Sequence, residues 1–175
     1  MKVLVGYASG YGSTSSYAEV VGEELRAAGH DAEVREARKV SSLDEYDYVI
    51  VGGSLRAGNW LGAAKKLAKR AISANKPHSI FICCLSAISE KGKEILAKEV
   101  LPRLRENVPG LNLEGPGLFP GARNTDQYGF IVKKVMVSIS RKEGDEKPDE
   151  PRDHRDFELA RSWAAQLARG MDHRG

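Results

Sequence analysis

Hydroxyls at Ser9, Ser13 and Thr14 and glycines at Gly10 and Gly12 crowd into the stretch Ala8-Ser9-Gly10-Tyr11-Gly12-Ser13-Thr14, between an apolar run and a helical pattern. Such a stretch can hold an anion. Helix N-termini leave N–H groups without acceptors, carry the positive end of the helix dipole, and gain further donors from nearby hydroxyls. The glycines let the backbone approach closely and reach positive φ. No lysine stands where a triphosphate-binding loop needs one, and the spacing is not the G-x-G-x-x-G of dinucleotide folds. The same residues could instead be helix caps and turn glycines with no ligand. On this stretch alone both readings stand.

Two further loops favour the ligand. One reads Gly52-Gly53-Ser54-Leu55-Arg56-Ala57-Gly58-Asn59-Trp60, the other Leu85-Ser86-Ala87-Ile88-Ser89, each after an apolar run. Small and polar residues at the carboxyl ends of three strands converge where open α/β sheets bind ligands, at the switch in strand order. A flat ring system fits between these two loops, over the anion site. Ser54, Leu55, Arg56, Gly58 and Asn59 would then lie on one side, and Ser86, Ala87 and Ile88 on the other.

Other reactive residues point nowhere in particular. Cys83 and Cys84 are adjacent and lack both C-x-x-C spacing and histidine partners, so they read as small hydrophobes on a strand. His30, His78, His154 and His173 share no spacing and read as surface or capping residues. No metal site and no protein acid or base is nominated.

The elements that must position these loops alternate. Short apolar runs at Val3–Ala8, Ala32–Arg35, Tyr48–Ser54, Ser79–Leu85 and Asn112–Phe119 suit strands buried on both faces. Helical patterns cover Thr14–Ala28, Trp60–Ile72, Lys91–Leu104 and Phe157–Ala168. In the first, Tyr17, Val21, Leu25 and Ala28 recur on one face; in the last, Leu159, Trp163 and Leu167 do. The order predicts one α/β domain over residues 1–175, a three-layer doubly wound parallel sheet of strand order 2-1-3-4-5. Residues Pro120 to Pro151 break the rhythm and read as an insertion before the last helix.

With these motifs in place the chain resembles the flavodoxin-like superfamily, and within it the flavodoxin-type, quinone-dependent protoporphyrinogen IX dehydrogenases. That family pairs a Ser-x-x-x-Gly-x-Thr-type phosphate loop with a Gly-x-Ser-Ile-Arg-Tyr-Gly-like second loop and a long insertion before its last helix. The likeness runs from Met1 to about Ala168. It implies FMN, with the phosphate at Ser9–Thr14, and oxidation of protoporphyrinogen to protoporphyrin in heme biosynthesis with a quinone as acceptor. One phosphate loop without an adenosine-binding fingerprint also favours FMN over FAD. Where the family has an aromatic after the loop arginine, this chain has Ala57, so stacking on the flavin falls to Trp60 or to nothing. Trp60 reads equally as the first core residue of the second helix. Arg56 reads either as a cation beside the flavin N1–C2 edge or a substrate propionate, or as a surface arginine packing its stem. Arg123 and the basic part of the insertion would draw propionates. An electron carrier and a non-catalytic FMN-fold module that recruits a partner remain as alternatives.

Charge bounds the partners. A formal net charge of +3, with basic and acidic residues interleaved, is too mild for nucleic acid. Carriers of the flavodoxin type are usually strongly acidic, which this chain is not. No membrane-spanning run or signal pattern is present in the sequence, so cytoplasmic residence is expected. Treated as a helix, Tyr128–Ile139 places Phe130 and Val137 beside Lys133 and Lys134 on its outer face. That pattern suits peripheral contact through residues 128–142 at the inner face of the cell membrane, or an amphipathic helix packed on the domain.

Overall fold

Residues 1–56, 58–123, 137–138 and 152–172 are described by a computed structural model of the chain. The apolar runs split their side chains between two cores. From β1 (Lys2–Ala8) and β3 (Tyr48–Arg56), the residues Leu4, Ala8, Val49 and Val51 bury on one face of the sheet. Val3, Val5, Tyr48 and Ile50 bury on the other. A strand apolar on both faces requires a layer on each side. The first layer is α2 (Gly62–Ser73), through Ala64, Leu67, Ala68 and Ala71. The second is α1 (Ser13–Ala27), through Tyr17, Val21 and Leu25, with the last helix, α5 (Phe157–Asp172), beside it.

The main sheet runs β2 (Asp31–Glu36), β1, β3, β5 (His78–Cys84), β6 (Gly117–Pro120), every pairing parallel. Counting only these five strands, the order is the expected 2-1-3-4-5. The two remaining pairings are antiparallel: β4 (Asn59–Trp60) folds back on the end of β3, and β7 (Ala122–Arg123) pairs with β8 (Arg152–Asp153).

Local differences from the sequence reading have physical causes. Trp60 lies on β4, not in a helix, because the chain turns at Gly58 (φ 73°) and pairs Leu55 with Trp60; α2 starts only at Gly62. The expected helix 91–104 is α3 (Glu90–Ile95), a π-helical turn (Leu96–Val100) and α4 (Leu101–Asn107). Pro102 cannot donate an N–H and crowds the preceding turn, so the hydrogen-bond ladder slips just before it. The fifth main strand is Gly117–Pro120, shorter than 112–119. On α5 the buried stripe is Ala160, Ala164, Ala168 and Met171, while Leu159 is 40% exposed. Small residues let α5 lie close to α1, and Trp163 packs edge-on against Phe81 and Phe119 at the stripe's margin. His30 is buried, not at the surface. Cys83 is buried and Cys84 half-buried, and neither forms a disulfide. Ala57, most of the insertion including Phe130, Lys133 and Lys134, and His173 lie outside the described residues.

Candidate functional site

The loop between β1 and α1 is closed by its own first residue: Ser9 Oγ accepts the Gly12 N–H at 2.9 Å. Gly12 has φ 93°, a left-handed conformation that side chains resist. Its carbonyl takes the Ser16 N–H at 3.2 Å and the hydroxyls of Ser15 at 2.6 Å and Ser16 at 3.4 Å. The N–H groups of Ser13, Thr14 and Ser15 belong to the first helical turn and have no intrahelical acceptor. No acidic side chain stands in that turn to compete for them. Thr14 is fully buried, and its Oγ1 makes no conventional hydrogen bond but is set against the Cys83 thiol. N–H donors at a helix end with no acid to meet them, behind a loop of small residues, fit a phosphate that brings acceptors with it.

The second loop is a β-hairpin in contact with the first. A methyl placed on Gly10 would sit 3.6 Å from both Arg56 Nη2 and Ser54 Oγ. The Arg56 guanidinium lies over the exposed Tyr11 ring, 5.7 Å from its centre. Among the described residues no carboxylate pairs with Arg56. Leu55 turns down, half-buried, onto the cores beneath the hairpin. Asn59 is exposed at the tip, next to Gly58. Trp60 is 2% exposed, and a Cβ on Gly53 would stand 2.1 Å from its Nε1, so the indole packs flush beneath β3 inside the core.

The third loop is the 3₁₀ turn Leu85–Ile88. Ser86 is half-buried with its carbonyl pressed on Gly92; Ala87 is buried against Leu96 and Val100; Ile88 is 44% exposed. Ser89 caps α3 by accepting the Gly92 N–H at 3.0 Å. Three loops thus gather at the carboxyl end of the sheet, with Tyr11, Arg56, Asn59 and Ile88 on their outer surface.

The rim is completed by contacts of Ser13 and Tyr17 and by Asp153 and Arg155, two residues not singled out from the sequence. Ser13 Oγ accepts the Ala122 N–H at 3.1 Å, and Tyr17 Oη donates to the Pro120 carbonyl at 2.7 Å. Arg155 grips Asp153 through Nε and Nη2, and these bonds hold the Asp153 carboxyl at about 2, well below the usual range. Burial pushes the Cys83 thiol up to about 12, so at neutral pH it stays protonated and is no nucleophile. Among the described residues no group of histidine, cysteine and carboxylates could hold a metal ion. Nothing local in the sequence marks Arg155 or Asp153. They reach the loop between β1 and α1 from the far end of the chain.

A family model described as a flavodoxin domain matches residues 4–150. An archaeal flavodoxin superposes with a TM-score of 0.57 at 17% identity, over 99% of this chain and 100% of that one. Flavodoxin 2 of Bacillus cereus gives 0.55 at 17% identity, over 100% of both chains. Rubredoxin oxygen:oxidoreductase of Desulfovibrio gigas gives 0.58 at 17% identity over 98% of this chain but 36% of its own, so this chain spans about a third of that protein. At such identities the likeness is one of fold. No curated protein sequence matches the chain. With a match over most of its length, the chain belongs to the flavodoxin-domain family and binds FMN.

Proposed function

We propose that the chain is an FMN-dependent oxidoreductase that oxidises protoporphyrinogen IX to protoporphyrin IX and passes the electrons to a quinone. FMN, when bound, supplies the acceptor for hydride equivalents. The residues of the chain hold and surround it. The backbone and hydroxyls of Ser9–Thr14 take the phosphate; the hairpin 54–59 and the turn 86–88 flank the ring. No side chain is assigned as acid or base.

The observation that carries this reading is Arg56. It stands over Tyr11 at the junction of two loops, exposed and without a carboxylate partner among the described residues. An unneutralised guanidinium at the mouth of a redox site suits a substrate that carries carboxylates, as the propionates of a porphyrinogen do. A second reading, an electron carrier, draws support from Tyr11 and Ile88, which are 39% and 44% exposed on opposite loops and could form an apolar rim for a redox protein. Anaerobic mixing with protoporphyrinogen separates the two. The enzyme bleaches its flavin absorbance, taking two electrons per FMN, and Arg56→Ala slows this roughly tenfold, the scale of one charge-assisted hydrogen bond. Fluorescent porphyrin, a six-electron oxidation product, forms only when a quinone is then added to reoxidise the flavin through three turnovers. A flavin that stays oxidised under porphyrinogen overturns the reading in favour of the carrier.

A further inference from the structure

The chain leaves the sheet at β7 and returns at β8, and this paired root is fastened to helix α1. One fastening involves a charge. Arg155 Nη1 donates to Ser16 Oγ at 3.1 Å, across 139 residues of sequence. Its orientation is held from both sides: Nε donates to Asp153 Oδ1 at 2.8 Å, Nη2 to Asp153 Oδ2 at 2.6 Å, and the guanidinium lies 5.3 Å over the Phe157 ring. An oxygen that accepts from a cation must place its own hydrogen elsewhere. For Ser16 the acceptor in reach is the Gly12 carbonyl, 3.4 Å away. That carbonyl shares a rigid peptide plane with the Ser13 N–H. The Ser15 hydroxyl and the Ser16 N–H already hold that carbonyl along the helix, and the Ser16 hydroxyl, as the third donor, adds to the aim of the Ser13 N–H out of the helix end, toward the anion site.

We propose that Asp153, Arg155 and Ser16 form a relay onto the Gly12–Ser13 peptide, with Arg155 a positioning residue for the phosphate loop, so that the root of the insertion is coupled to FMN retention. Coupling of this kind is reciprocal: whatever shifts the root changes FMN affinity, and FMN steadies the root. The proposal rests on the phosphate lying at Ser9–Thr14.

Riboflavin, which lacks the phosphate, provides the test. Apoprotein is titrated with FMN and with riboflavin, following flavin fluorescence, for the wild type, Arg155→Ala, Ser16→Ala and the double variant. Each single variant should weaken FMN about tenfold, the scale of a hydrogen bond to a charged group. The double variant should weaken it little further, and riboflavin affinity should not move. A wild type that holds riboflavin as tightly as FMN overturns the phosphate assignment and this proposal with it. A wild type that prefers FMN, with variants that keep that full preference, overturns the relay alone. Equal loss of both flavins overturns it too, since Arg155 would then only support the fold. Additive losses show that Arg155 does not act through Ser16 and overturn it as well.

Discussion

Thr14 is the residue at which fold and ligand want different things. Its hydroxyl is buried with only the weakly accepting Cys83 sulfur set against it, and an unsatisfied buried hydroxyl costs up to about 1–3 kcal/mol. Valine has nearly the same shape without that cost. Thr14→Val should therefore leave the apoprotein as stable as the wild type, or more stable by about 1 kcal/mol. The same change removes a donor from the phosphate and should weaken FMN at least tenfold, on the scale of a hydrogen bond to a charged group. Thermal melts of the apoprotein and a flavin titration read the two effects separately. A variant that loses apoprotein stability, or that keeps FMN affinity, returns Thr14 to a packing role. Ser9 and Gly12 behave differently, because they hold each other: the Ser9 Oγ to Gly12 N–H bond shapes the loop before any ligand arrives. Loss of Ser9 is a loss of preorganisation, not of a contact alone.

At the scale of elements, the end of β3 is where backbone and side chains approach most closely. A Cβ on Gly53 would meet three atoms of the Trp60 indole at 2.1–2.7 Å, and one on Gly52 would meet the Phe81 ring at 2.0 Å. The strand carrying the second loop is thus seated directly on aromatic rings in both cores. Gly53→Ala should overpack the β3–β4 hairpin and destabilise the protein by about 1–3 kcal/mol, seen as a lower denaturation midpoint with an unchanged slope. An unchanged midpoint would mean that Trp60 is loosely held. These approaches explain what could be read from the sequence and what could not. The central strands β1, β3 and β5 were legible because strands buried on both faces are almost wholly apolar, whereas the edge strand β2 showed only the alternation of Ala32 and Val34 with charged residues. The first loop was legible because its parts are contiguous and its helix starts where they end. The start of α2 was not, since a tight hairpin at Gly58 leaves the same apolar spacing that a helix would. The buried face of α5 was misplaced by one residue, because close packing against α1 selects Ala160, Ala164 and Ala168 over the larger Leu159. Arg155 was invisible for a different reason. Its partner Ser16 lies at the other end of the chain, and no local pattern records a contact that only the fold creates.

At the scale of the whole molecule, the proposed function requires electrons to reach a quinone held in a bilayer. Among the described residues no helix is long and apolar enough to cross a membrane. On the proposed reading, charge governs whether the chain approaches a bilayer that carries the quinone. Its formal net charge is +3, and between Arg123 and Lys142 the sequence carries five basic residues against the single acid Asp126. Each lysine or arginine near an anionic surface contributes about 1 kcal/mol, a share that falls as salt shortens the Debye length to about 8 Å at physiological strength. Apolar side chains such as Phe130 and Val137 could add about 1.5–3 kcal/mol each if fully buried, and less at an interface. These gains only modestly exceed the cost of association, so binding should be weak, reversible and sensitive to salt. We expect the FMN-loaded protein to sediment with vesicles rich in phosphatidylserine at low salt and to stay in solution at high salt. Lys133→Glu with Lys134→Glu should abolish sedimentation and leave FMN content unchanged. Should the wild type remain in the supernatant at low salt, the bilayer is not its partner, and the acceptor must be a soluble quinone or a protein.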